Sequence, residues 1–311
     1  MDRTHHPHAM KRFQPFLPAP MKAVMALLLM CSGLHLGAQQ LPVTTLPLDH
    51  AFDAHPAAAA DSAIRVSIWQ RSPWTGLPSA PRTTALALTS PTGSESLAWG
   101  ARFWSDVAGP TRMAGVHAGL AYTTRWTEDL RLSFGLGLGW MQFSIDGTRI
   151  DFETAGDPAL GDTYQAVGVP DATAGLWIQG EKLTAAFSAG QVLGGDLPVY
   201  DGTGVESRLE SHLRGMVAYR FESAGLGWTP IVQVQHLRPV PAELSAALRV
   251  DKGREYWAMV GVRSAGAAHL GAGIRINNQL TFSYNRNWAT VALARVLGGG
   301  HEVVLAFTVP R

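Results

Sequence analysis

Residues 131–143 read RLSFGLGLGWMQF. Leu132, Phe134, Leu136, Leu138 and Trp140 hold every second position, with Ser133, Gly135, Gly137 and Gly139 between them. A helix scatters a period of two around its circumference, whereas a strand sends alternate side chains to opposite faces. Glycine weakens a strand interior, so intrinsic propensity does not explain this stretch. The pattern demands a strand with one greasy face and one nearly bare face.

The alternation recurs along the chain. Ile64, Val66 and Ile68 oppose Arg65, Ser67 and Trp69, and Leu97, Trp99, Ala101 and Phe103 oppose Ala98, Gly100, Arg102 and Trp104. Tyr256, Ala258, Val260 and Val262 oppose Trp257, Met259, Gly261 and Arg263. Leu270, Ala272, Ile274 and Ile276 oppose His269, Gly271, Gly273 and Arg275, and Asn277-Asn278 then signals a tight turn because Asn tolerates positive φ. About 14 strands are predicted, near 64–70, 82–90, 96–104, 113–124, 130–144, 171–179, 182–190, 211–221, 228–238, 243–250, 255–263, 268–276, 279–287 and 301–309. Segments 145–170 and 191–210, rich in Gly, Asp and Pro, read as loops. No linker divides two cores, so 64–311 reads as one domain.

Arginine placement tests the two faces. Arg65, Arg102, Arg131, Arg214, Arg220, Arg249, Arg263 and Arg275 all fall on the less apolar face, and Arg286 breaks the pattern at a strand end. Arg on the lipid face of a membrane barrel costs roughly 2–4 kcal/mol at the midplane, but in the lumen it meets water or carboxylates. A secreted β-sandwich with one buried face predicts shorter strands and more Lys and Glu on the solvent side. Only 16% of residues are charged, against roughly 25% in soluble domains. The fold class expected is therefore all-β, a single transmembrane antiparallel barrel. Trp69, Trp104, Trp126, Trp140, Trp228, Tyr284 and Trp288 suit an aromatic girdle near strand ends. Closure requires residues 301–309 to pair with 64–70, since an open edge in lipid leaves backbone groups unsatisfied.

Lys22, the apolar run Ala23–Leu34 and the small exit Gly37-Ala38 read as a secretory signal peptide over 21–38. Residues 1–20 then form a dispensable extension ahead of Met21, and 39–63 an N-terminal segment before the barrel. A lipoprotein reading of Cys31 is weaker, because Met30 precedes it where a small residue is usual. With one cysteine, no disulfide framework or cysteine-based metal site exists. A signal peptide plus an antiparallel barrel places the chain in a Gram-negative outer membrane, with the lipid bilayer as its first partner.

The sequence offers little chemistry. Net charge is +1, so nothing favours nucleic acid. His117, His212, His236, His269 and His301 stand without a second ligand at metal spacing, and no G-x-S-x-G elbow occurs. No catalytic residue, metal or cofactor is expected.

Several segments in order resemble the type IX secretion system membrane protein PorP/SprF family of Bacteroidetes. WQRSPWTGLPSAPRT (69–83) is similar to its R-x-Q-W-x-G…G-A-P-x-T signature through Arg71, Trp74, Gly76, Ala80, Pro81 and Thr83. DVAGPT (106–111), GDPAL (156–160) and GGGHEVVLAF (298–307) match its D-x-x-G-P, its mid-chain loop and its closing strand. HPAAAA (55–60) replaces N-P-A-Y-A-G, losing Asn and Tyr, and YNRN (284–287) lacks the Asp of Y-x-Y-D. If those positions touch a partner, this chain's partner differs. The resemblance implies a non-enzymatic outer-membrane component for export or surface retention of adhesin-like proteins, linked to gliding motility. Its partners are an exported substrate or adhesin C-terminal domain and other type IX components. The partner-contacting residues it implies are Arg71, Trp74, Gly76, Pro81, Asp106, Gly109, Asp157, Pro158, His301 and Glu302. A plainer reading has Trp74 pack on the rim or plug the lumen, and has His301 and Glu302 tie the Gly298–Gly300 turn. Two other classes stay open. An apolar pocket behind an N-terminal plug would favour a 14-stranded channel for hydrophobic small molecules, of the long-chain fatty-acid-transporter type. A Ser–His contact at the lipid-facing wall would favour a barrel hydrolase.

Overall fold

The computed structural model describes residues 44–60, 63–150, 164–197, 208–237, 240–253, 255–264, 266–290 and 298–309. The expected extension 1–20, the signal peptide with Cys31, and Asp157 and Pro158 lie outside them. Alternating segments become strands β1 (Ile64–Ser72), β2 (Arg82–Pro91), β3 (Leu97–Ala108), β4 (Thr111–Arg125), β5 (Leu130–Asp146), β6 (Tyr164–Gly180) and β7 (Leu183–Gly190). There follow β8 (His212–Tyr219), β9 (Phe221–Ser223), β10 (Leu226–Leu237), β11 (Val240–Lys252), β12 (Tyr256–Arg263), β13 (Ala267–Ile276), β14 (Leu280–Ala289) and β15 (Gly299–Val309). Strands β8 and β9 both pair with β10 and share one wall position, broken at Arg220. The wall is thus a closed 14-strand antiparallel barrel. No helix among the described residues is long and apolar enough to cross a membrane.

Closure follows the expected register: β1 pairs with β15 from Ile64↔Val309 to Ser72↔His301. The Asn277-Asn278 turn forms with both residues at positive φ, 50° and 55°. Connections at the end of the barrel that carries the start of β1 run five residues or fewer, whereas 73–81, 147–163, 191–211 and 290–298 at the other end are long.

The two faces separate as the alternation requires. Leu136 and Leu138 are 69% and 72% exposed on the outer wall, while Ser133, Gly135 and Gly137 on the alternate positions are buried toward the lumen. Arg102, Arg249 and Arg263 also turn inward. Two girdle expectations are corrected: Trp69 and Trp104 are buried. They share the inward parity of Ser67 and Arg102, Trp69 donates its indole N–H to Glu302 at 2.8 Å, and Trp104 lies over Gly115. Trp126 and Trp288 are exposed near strand ends as expected, and Trp140 is exposed but lies within β5, in the apolar part of the wall.

Strand β6 starts at Tyr164, inside the segment read as a loop. Pro170 looks like a breaker, but β7 pairs β6 only over 174–179. Pro170 therefore has a strand neighbour on one side, Trp140 of β5, and its missing N–H removes no ladder bond on the other.

Candidate functional site

The bare inner face is occupied by the chain's own N-terminal segment. Residues 44–60 cross the lumen as a coil, one helical turn α1 (Ala51–Ala54) and a 3-10 turn over Pro56–Ala59. Ala57 is fully buried against Gly135, Phe52 lies on Gly100, and Pro56 reaches Gly175. A Cβ at Gly135 or Gly100 would overlap these atoms. The glycines of β3, β5 and β6 thus make room for a plug. Alternation along the strands implies only that the inner face is bare, and residues 39–63 read in the sequence merely as a segment before the barrel.

Polar bonds fasten the plug. Glu302, fully buried on β15, accepts from the Thr44 hydroxyl at 2.5 Å, from the Thr45 amide at 3.0 Å and from the Thr45 hydroxyl at 2.5 Å. With Trp69 Nε1 that makes four donors on one carboxylate. Asp49 meets Arg249 at 3.3 Å, Asp53 pairs with Arg102, and Ser188 donates to the Ala54 carbonyl at 2.7 Å. Burial works to raise the Asp53 carboxyl, but Arg102, with His50 and Arg214, holds it below its ordinary value. Burial lowers His50, and pushes His55 down to about 3. HPAAAA is therefore plug, and the changed positions His55 and Ala58 sit inside the barrel, where His55 lies 6.0 Å from the Trp177 ring.

The cavity left beside the plug is about 20 Å³ and is lined by Asp53, Arg102, His117, Thr173 and Arg214 among others. That is room for a single water. His117 bonds Asp171 at 2.7 Å within the wall. Ser67 Oγ lies 3.3 Å from His50 Nδ1, and His50 is 3.9 Å from Asp53. Both Ser67 and His50 are buried beside Trp69, away from the outer wall. Among the described residues no group of His, Cys, Asp and Glu is arranged to hold a metal.

The sequence-predicted residues that are described fall into two sets, with His301 apart. Glu302↔Arg71, Arg71↔Thr83 and Thr83↔Asp106 are successive cross-strand partners. Three distant motifs thus meet in one inward-facing row at the long-loop end, where Thr83 donates to Asp106 at 2.5 Å. The second set builds the rim. Trp74 is 45% exposed at φ 55°, and Thr75 N and Oγ1 both donate to the Gly299 carbonyl. Gly76 packs against Gly298, where a Cβ would come within 2.8 Å of the Gly76 nitrogen. Pro81 ends this loop, and Gly109 (φ 58°) in the β3–β4 turn donates to the Ser79 carbonyl at 3.2 Å. His301 stands apart, on the outer wall, bonded to Tyr284 at 2.7 Å and to Arg286.

No curated protein matches the sequence. Among solved structures, a Pseudomonas aeruginosa FadL homologue is similar with TM-score 0.50 at 12% identity, over 82% of this chain and 92% of that one. The CymD monoaromatic hydrocarbon channel is similar with TM-score 0.50 at 10% identity, over 89% and 94%. At such identities the likeness concerns the barrel fold alone. The family pattern described as type IX secretion system membrane protein PorP/SprF matches residues 37–307, from the plug to the closing strand, and the chain belongs to that family.

Proposed function

We propose that this chain is a non-enzymatic outer-membrane component of the type IX machinery that assists export or surface retention of adhesin-like proteins. Its long-loop rim faces the cell exterior, as long loops do in outer-membrane barrels, and receives the C-terminal domain of the exported protein. One observation carries this reading. The lumen is filled and bonded shut by residues 44–60, while the rim holds an exposed tryptophan on a loop tied to two neighbouring segments. A large exposed aromatic on a fixed backbone is suited to anchoring a protein partner.

The test is Trp74→Ala in the full chain. Barrel assembly is followed by heat-modifiable gel migration, and retention of the exported adhesin is followed at the cell surface. Intact assembly with lost retention supports the reading. Lost assembly makes Trp74 structural, and intact assembly with intact retention refutes the rim site.

A second reading, a channel for hydrophobic small molecules, has the N-terminal plug in its favour. The cavity beside the plug argues against it, since at about 20 Å³ it has room for a single water and none for a hydrocarbon. A hydrolase is disfavoured because the Ser67–His50 contact is enclosed in the lumen.

A further inference from the structure

On the outer wall, Ile68, Leu86, Phe103, Val116 and Trp140 are successive cross-strand partners and form an exposed apolar row. Two residues nearer the long-loop end, the row runs Gln70, Thr84, Ser105, Ala114 and Gln142, polar at every strand but β4. Two residues further, Arg82 pairs with Val107 and Val107 with Arg112. Both arginines are exposed on the outward face. Four residues along a tilted strand set them about 10 Å above the apolar row, the depth of lipid head groups and not of acyl chains.

The register lets the pair converge. Arg82 and Arg112 are two strands apart, about 10 Å, with only Val107 between them. Long side chains from both positions can meet over that valine. The Ser105 hydroxyl accepts from Arg112 Nε at 3.1 Å, which steadies the guanidinium and leaves its terminal nitrogens free to donate. Arg82 has no hydrogen-bond or ion-pair partner among the described residues. Of the carboxylates beside the pair, Asp106 turns inward to Thr83, and Asp146, two residues beyond the Arg112 partner Ser144, accepts from the Thr148 amide and hydroxyl. The same level of the wall continues through Ser72 to His301 and Arg286, so positive charge extends along it. At the opposite end Trp99, Tyr122, Tyr219 and Tyr256 take the exposed outward positions, with Lys252. Desolvating two guanidiniums that have no carboxylate partner among the described residues is costly beside lipid unless an anion meets them, and planar forks suit phosphate oxygens.

We propose that Arg82 and Arg112 form a phosphate-binding fork for the head group of a phosphorylated glycolipid of the outer leaflet. This rests on the long-loop end facing outward, as in the function proposed above. A protein ligand is disfavoured because the fork lies on the side wall at head-group depth, below the loop rim.

The test uses the purified full chain in detergent with three additives: phosphorylated lipid A, phosphatase-treated lipid A and phosphatidylglycerol. Binding is read by thermal shift and native mass spectrometry. Phosphorylated lipid A is expected to bind and raise the melting temperature, with the other two far weaker. Arg82→Gln/Arg112→Gln should weaken apparent affinity about ten-fold or more through lost charge-assisted bonds. Arg131→Gln, at the short-turn end, should leave it unchanged. Equal binding of phosphatase-treated lipid A, or undiminished binding by a double variant that still runs as a folded barrel, overturns the fork. Equal, arginine-dependent binding of phosphatidylglycerol overturns the assignment to an outer-leaflet glycolipid. None of these readouts involves adhesin, so failure here is separable from failure of the rim reading, which Trp74→Ala tests. If the double variant does not fold, single Arg82→Lys and Arg112→Lys variants test the same point, since lysine keeps charge and loses the fork.

Discussion

Glu302→Ala should release the plug while the wall stays closed. The carboxylate receives the Thr44 hydroxyl, the Thr45 amide and hydroxyl, and the Trp69 indole. Its removal leaves four buried donors without an acceptor. Each orphaned donor costs about 1–2 kcal/mol, which sums to about 4–8 kcal/mol before a water entering the space recovers part. Even about 4 kcal/mol shifts the docked-to-released ratio about a thousand-fold. The wall itself is spared, because the backbone pairings of Glu302 with Arg71 and Asn285 do not need the side chain. The reporter is Ala59→Cys, a plug position that is 1% exposed, labelled with a maleimide in the folded barrel. Labelling should be slow with Glu302 present and at least a hundred-fold faster without it. Thr45→Val removes one donor and should speed labelling about ten-fold. In a Thr44→Val/Thr45→Val background, Glu302→Ala should add less than it does alone, because the lost partners are shared. If labelling changes by less than a few-fold in a barrel that still shows heat-modifiable migration, Glu302 does not hold the plug.

Other perturbations probe separate links. Gly135→Leu puts a side chain where Ala57 sits, so it should expel the plug and raise conductance in planar bilayers; an unchanged, near-zero conductance refutes the close fit. Leu136→Arg should impair insertion into liposomes by about 2–4 kcal/mol, whereas Arg131→Leu should not; equal effects would reverse the assigned faces. Acid should loosen the plug: docking keeps His55 neutral down to about 3 against an ordinary value of 6.5. A released plug therefore binds protons that a docked one refuses, and docking is at full strength above about 6.5 and weakens as pH falls toward 3. Labelling of Ala59→Cys across that window should accelerate, and His50→Asn/His55→Asn should leave only the acid end of the response, where Asp53 protonates; a flat wild-type profile counts against burial of both rings. Deleting residues 303–311 removes the strand that pairs with β1 and should abolish assembly, while normal insertion of the truncated chain would disprove closure through β15.

How much of this was legible before folding depends on which physical quantity each feature needed. Strand periodicity and the Arg bias are local, so the barrel, its faces and the β1–β15 closure follow from reading along the chain. The Asn277-Asn278 turn is local as well. Trp69 and Trp104 depart from the girdle because a tryptophan suits both a membrane interface and a lumen that offers its N–H an acceptor, and parity with Ser67 and Arg102 is the better guide. Register is not local. Glu302, Arg71 and Asp106 come from three motifs, and only the pairing of β15, β1 and β2 with β3 brings them into one row. The plug is the hardest part to read, since residues 44–60 have no period and the surface that Phe52, Pro56 and Ala57 pack on is glycine, which advertises nothing but missing volume. Yet that missing volume is informative. A lumen filled with water gives no reason to strip side chains from Gly100, Gly135 and Gly175, at a cost in strand stability. A bare inner face on a long strand therefore implies a packed neighbour, and the segment that precedes β1, tethered at one end to the wall, is the part of the chain best placed to supply it.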